Sequence, residues 1–135
     1  MPSELTIRQV AARTGLTVHT LRYYERAGLI PAVERAGNGH RRYSEEDLAW
    51  IEFVKCLRST GMPISDVQRY VELQQRGDAT FAERLEIMES HRRALKAKIE
   101  ELSGFLNRIE GKVERYRERV ARERSASRGQ PVRPG

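Results

Sequence analysis

At 135 residues the chain is long enough for one modest domain plus an extension. Its 25 Lys and Arg against 19 Asp and Glu give a formal charge of +6, and a single cysteine excludes an internal disulfide, which suits a reducing bacterial cytoplasm. No membrane partner is expected, since no long apolar run, signal peptide or lipidation motif is present.

Thr6 and Gln9 have capping-box spacing and open a predicted helix over 7–13, with Ile7, Val10 and Ala11 on one face. Gly15 supplies a left-handed turn, and Thr17 caps a second helix over 18–27. Leu16, Val18, Leu21 and Tyr24 rebuild an apolar face there, while His19, Arg22, Tyr23 and Arg26 lie opposite. Pro31 blocks continuation, and Ala32 to Tyr43, centred on Gly37-Asn38-Gly39, reads as a short two-stranded wing. Ser44 caps a helix over 45–59, whose first turn carries Glu45, Glu46 and Asp47 at the positive end of the dipole. Gly61-Met62-Pro63 breaks it from a helix over 66–76 opened by Ser65 with Gln68, and Thr80 with Glu83 opens a long helix over 81–121.

That last helix carries a heptad seam. Phe81, Leu85, Met88, Arg92, Leu95, Ile99, Leu102, Leu106, Ile109, Val113, Tyr116 and Val120 alternate by four and three residues, and only Arg92 is polar. A helix of this length spans on the order of 60 Å, so its stripe needs a partner, and a second copy of the chain is the expected one. Gly104 and Gly111 fall on the outer face, and the Ser-, Gly-, Pro- and Arg-rich tail from Ser125 is expected to be disordered.

Helix, tight turn, helix and basic hairpin together form a device for gripping a DNA duplex. Charge is concentrated to match: residues 22–43 hold five arginines against two glutamates, although residues 1–79 nearly balance at 11 basic against 10 acidic side chains. Leu21-Arg22-Tyr23-Tyr24-Glu25-Arg26-Ala27-Gly28-Leu29-Ile30-Pro31, followed by Gly39-His40-Arg41-Arg42-Tyr43 and Glu45-Glu46-Asp47-Leu48, resembles the MerR family of bacterial transcription regulators. The resemblance covers about the first 75 residues at motif level, plus the general form of the C-terminal helix.

It implies a mainly α fold: a winged helix-turn-helix DNA-binding domain over 1–77, a dimerisation helix over 78–122 pairing as an antiparallel coiled coil, and a disordered basic tail over 123–135. It further implies a palindromic promoter site lying between elements spaced too far apart for RNA polymerase, and activation by bending and untwisting that spacer. Duplex deformation of this kind costs several kcal/mol, offset by phosphate contacts on both sides of the kink.

Arg22 and Tyr23 match the family's DNA-contacting pair. Thr17, Val18, His19 and Thr20 open the recognition helix, although Thr17 as a cap and Val18 as a packing residue are equally good readings. Arg26 extends the same face. In the wing, Arg35, Asn38, His40, Arg41 and Arg42 are expected at phosphates or in the minor groove, and Tyr43 either joins them or packs the wing onto the third helix. The helix start at Ser65 could cradle a further phosphate, a second wing in family terms.

No catalytic constellation, NTPase phosphate loop or metal-ligand cluster is spaced for chemistry, so neither an enzyme nor a bound metal or other cofactor is expected. Metal-responsive members of the family carry two or more cysteines near the end of the long helix, and drug-binding members append a large domain; this chain has no cysteine after position 56. The segment Trp50-Ile51-Glu52-Phe53-Val54-Lys55-Cys56-Leu57-Arg58 is similar to the thiol-bearing subgroup that responds to reactive aldehydes or nitrosative stress.

The residues alone lean the other way. Cys behaves as a small hydrophobe and Phe53 lies on its face. Lys55 points about 100° away, and Glu52, one turn earlier, disfavours a thiolate. Sensor and buried core residue both stay open, and His91 reads only as a polar residue flanking the coil. The sequence therefore describes a nucleoid-associated homodimeric regulator with double-stranded promoter DNA and RNA polymerase as partners. The alternative is a non-sensing architectural protein that binds DNA through the same coiled-coil dimer.

Overall fold

The computed structural model describes residues 4–30 and 42–129. These form α1 (Ile7–Thr14), α2 (Val18–Arg26), α3 (Glu45–Ser59), α4 (Ile64–Gln75), a 3-10 turn (Asp78–Thr80) and α5 (Phe81–Gly129). The tip and first arm of the expected wing, with Arg35, Asn38, His40 and Arg41, lie outside the described residues. Its base is visible. Tyr43 and Leu5 exchange backbone hydrogen bonds of 2.8 and 2.7 Å in one antiparallel bridge.

Capping fixes the first three helices. Thr6 and Gln9 form the full box, and the Gly15 N–H closes α1 on the Ala11 carbonyl from a left-handed φ of 76°. Thr17 accepts from the Thr20 N–H at the head of α2. Ser44 does more than its spacing promised, because Asp47 completes a reciprocal box with it. α2 ends before Pro31 is reached: Gly28 turns left-handed at φ 73°, and the Leu29 N–H reaches back to the Tyr24 carbonyl at 2.9 Å.

Two expected caps are absent. Pro63, with φ of −59°, takes the N-cap of α4, so the helix starts at Ile64 and Ser65 falls inside its first turn with no side-chain cap bond. A proline sits well there because its missing N–H would have been an orphan. At the other junction Thr80 is buried in the 3-10 turn, and its hydroxyl donates to the Leu73 and Gly77 carbonyls at 2.7 and 2.8 Å rather than capping α5. Glu83 faces Arg69 at 3.6 Å instead.

The core is assembled from the apolar faces read in the sequence. Val10, Leu21, Leu29, Tyr43, Ile51, Val54, Met62 and Val67 are its fully buried side chains. Complete burial of one such aliphatic side chain stabilises the fold by about 1.5–3 kcal/mol. Tyr43 is wholly buried, so of its two expected roles its side chain takes packing rather than a DNA-facing place. A side chain that ties the Leu5 bridge to the core has no face left for a phosphate.

The chain divides into compact units meeting at Arg93 and Ala94. Ile87 and Met88, one turn and more into α5, pack against the N-terminal core, which keeps the start of that helix in the first unit. The described part of the second unit is helix. It runs on to Gly129, past the expected end near 121 and into the segment expected to be disordered, with Arg119 and Glu123 paired at 3.1 Å along its surface. Ile99, Leu102, Phe105, Leu106, Ile109, Val113, Tyr116 and Val120 on this stretch are between 41 and 65% exposed.

Candidate nucleic-acid interface

α2 presents the face that the sequence assigned to DNA. Leu21 and Tyr24 point inward and are buried, while Thr17, His19, Arg22, Tyr23 and Arg26 are exposed. Val18 and Thr20 are half-buried, and Thr20 also takes a 2.9 Å hydrogen bond from the Thr17 hydroxyl. Thr17 therefore acts as a cap while its neighbours His19, Arg22, Tyr23 and Arg26 stay available. Tyr23 packs its ring at 6.2 Å from Tyr24, which restrains an exposed aromatic beside the two arginines.

Three contacts that the sequence did not announce hold this helix-turn-helix rigid. The Lys55 ammonium of α3 donates to the Thr14 carbonyl at the end of α1. At the end of α2, the Trp50 indole donates to the Leu29 carbonyl at 3.1 Å, and the Gln68 amide donates to the Ala27 carbonyl at 2.6 Å. Trp50 is itself held by a near-parallel stack on Tyr70 at 5.8 Å. Lys55 and Gln68 each satisfy a helix-end carbonyl from a distant element, and Trp50 satisfies one in the turn that follows α2. Sequence periodicity reports helical faces and is blind to such long-range caps.

Arg42 is two-thirds buried, with its Nε 3.9 Å from a Glu4 carboxylate oxygen. Arg13 is paired with Glu45 at 3.0 Å on an exposed surface. Ser65, inside the first turn of α4, is exposed beside Asp66. An acidic neighbour in that turn makes it a poorer phosphate cradle than a helix start capped by serine alone.

Cys56 is exposed, so the reading of it as a buried core residue does not hold. Lys55 points away from it towards Thr14, as the helical offset required. His91 is not a free flanking residue: its Nε2 lies 2.7 Å from the Thr60 hydroxyl. Among the described residues no group of three or more His, Cys, Asp or Glu could hold a metal ion, and no helix is long and apolar enough to cross a membrane.

Fold and exposed helix face together define a helix-turn-helix protein. Residues 5–74 match the family model described as MerR HTH family regulatory protein, and residues 48–111 match the model described as MerR, DNA binding. The chain belongs to the MerR family, and its relatives are regulators rather than enzymes. It is 36% identical over 116 residues, 86% of each chain, to an HTH-type transcriptional regulator of Haemophilus influenzae. It is 48% identical over 91 residues to the HTH-type transcriptional regulator AdhR of Bacillus subtilis, covering 67% of this chain and 65% of AdhR. Among solved structures, HiNmlR, a MerR family regulator lacking the sensor domain and bound to promoter DNA, superposes with a TM-score of 0.80 at 35% identity, covering 88% of this chain and 94% of its own. A MerR family regulator from Listeria monocytogenes gives 0.83 at 31% identity, covering 92% and 94%.

Proposed function

We propose that the chain is a homodimeric regulator that binds a palindromic promoter through α2, and answers electrophiles through Cys56. The observation that carries the DNA reading is the two-faced α2. Leu21 and Tyr24 bury one side, while His19, Arg22, Tyr23 and Arg26 offer donors on the other. HiNmlR, bound to promoter DNA in its own structure, has the same fold at 35% identity, which supports duplex DNA as the ligand.

α2 enters the major groove, with Thr17, Val18, His19 and Thr20 at its leading turn and Arg22, Tyr23 and Arg26 behind them. Arg35, Asn38, His40, Arg41 and Arg42 of the wing hold the phosphate backbone alongside, and the first turn of α4 at Ser65 approaches a second phosphate. Two copies pair through the apolar stripe of α5, since eight large apolar side chains from Ile99 to Val120 stand in water otherwise. Two heads held by one coil can bend the spacer between promoter elements, which lets RNA polymerase engage both.

Cys56 is accessible to a small electrophile, which a buried thiol would not be. The experiment is a footprint of the purified chain on the region upstream of its own gene, paired with promoter output with and without an aldehyde. A symmetric protected site, with induction lost in Cys56→Ser and DNA binding kept, supports the whole reading. Equal induction in wild type and Cys56→Ser removes the sensor and leaves the DNA function standing.

A further inference from the structure

The structure ties the start of the long helix to the end of α3 through one polar contact that the DNA-reading face does not use. Thr60 follows the last residue of α3, and its hydroxyl lies 2.8 Å from the Cys56 carbonyl and 3.2 Å from the Leu57 carbonyl. Both carbonyls also accept backbone N–H groups, from Thr60 at 3.0 Å and from Met62 at 2.9 Å. The same hydroxyl lies 2.7 Å from His91 Nε2, and the two groups share one hydrogen bond whose donor is set by the imidazole tautomer.

The bond is well placed to matter. His91 lies two residues before the unit boundary at Arg93, further along α5 than Ile87 and Met88, which make the apolar part of the same joint. Nearer the start of α5, Arg84 holds the Gly77 carbonyl and the Thr80 hydroxyl at 3.1 Å each. Glu83 pairs with Arg69 of α4 at 3.6 Å on the same first turn. A further polar tie two turns beyond Arg84, flanked by packed Ile87 and Met88, opposes rolling of the helix about its own axis.

We propose that His91 is a positioning residue: its bond to Thr60 locks the rotational setting of the first turns of α5 on the reading head, and so sets how two paired heads engage a palindrome without touching DNA. The inference rests on the dimeric DNA-reading function proposed above. In a dimer each head is carried by its own α5, so slack at this joint weakens simultaneous engagement of both half-sites more than binding to one.

The test uses the full chain as wild type, Thr60→Val, His91→Leu and His91→Gln. Two readouts are taken: amide hydrogen exchange over residues 84–93 in the free protein, and affinity for the footprinted duplex relative to a duplex carrying one half of it. Thr60→Val and His91→Leu should speed exchange over 84–93 by about fivefold, the size expected for one lost hydrogen bond. They should lower the palindrome-to-half-site ratio several-fold while half-site affinity stays within about twofold. His91→Gln, whose amide can donate or accept from nearly the same place, should restore both. Unchanged exchange in His91→Leu overturns the latch whatever the DNA data show. Faster exchange with an unchanged ratio overturns its role in setting the heads. A wild type with no preference for the palindrome sinks the proposed DNA function instead, and exchange then judges the latch alone.

Discussion

Lys55 in α3 donates its ammonium to the carbonyl of Thr14, the last residue of α1, and so caps the helix immediately before the turn of the helix-turn-helix. The contact joins positive charge to the carbonyl end of a helix dipole across 41 residues of sequence. Lys55→Met keeps most of the stem and removes the donor. It should cost on the order of 1 kcal/mol, read as a lower urea midpoint at unchanged slope. A midpoint equal to wild type would mean that the contact contributes nothing to holding the turn.

Gly15 sits beside the same ammonium at φ 76°, and a Cβ built there meets Lys55 Nζ at 3.4 Å. Gly15→Ala should destabilise by about 1–2 kcal/mol, chiefly from backbone strain in the left-handed region. Gly104 and Gly111 make the opposite case, since each lies within α5 with nothing within 4 Å of an added Cβ. Gly104→Ala and Gly111→Ala should each stabilise by up to about 1 kcal/mol. Thermal unfolding of the three variants checks both signs, and stabilisation by Gly15→Ala would contradict the turn assignment.

Elements held by local chemistry were legible in the sequence, and those held by distant partners were not. α3 was read at its observed bounds because Ser44 and the acidic first turn mark its start and Gly61 marks its end. Gly15, Leu21 and Tyr24 followed from period and turn chemistry alone. Ser65 and Thr80 misled for one reason: a capping-box spacing does not reveal that Pro63 has already begun the helix, or that the Thr80 hydroxyl is claimed by Leu73. Cys56 needed the structure for a similar reason. Period places it on a face with Phe53, and only packing shows that this face is left open, with Phe53 turned towards Trp50 and Tyr70. His91 was missed because a histidine off a heptad seam carries no signal of its partner on another helix.

The exposed stripe on α5 predicts its own disruption. Ile99→Asp with Leu106→Asp places charges in the middle of the apolar seam, where both side chains are more than half exposed in a single chain. Sedimentation should show a monomer whose N-terminal unit keeps its near-ultraviolet signal. A truncation that tests the same point must end after Arg93, since Ile87 and Met88 belong to the N-terminal core. A stable dimer from either variant would remove α5 as the pairing element.

The exposed arginines of α2 and the buried one at the wing base should behave differently. Arg42, two-thirds buried with Glu4 nearby, is partly committed within the fold, whereas Arg22 and Arg26 are exposed. Arg26→Ala should weaken all duplexes alike and lower the salt slope by about one per subunit if it meets phosphate. Arg42→Ala should lower stability as well as affinity, so its unfolding midpoint falls while that of Arg26→Ala does not. Equal midpoints for the two variants would place Arg42 wholly on the DNA.

Base reading by α2 is most directly tested by titrating wild type and Arg22→Ala against the footprinted duplex and against single-base variants of each half-site, at several salt concentrations. The account predicts that Arg22→Ala folds normally and loses about 1–3 kcal/mol on the native site. It also predicts that the variant no longer distinguishes the base pair at one position per half-site, with the two positions related by the two-fold axis of the site. Wild-type affinity and unaltered base preference in Arg22→Ala would contradict the assignment of α2 as the reading helix.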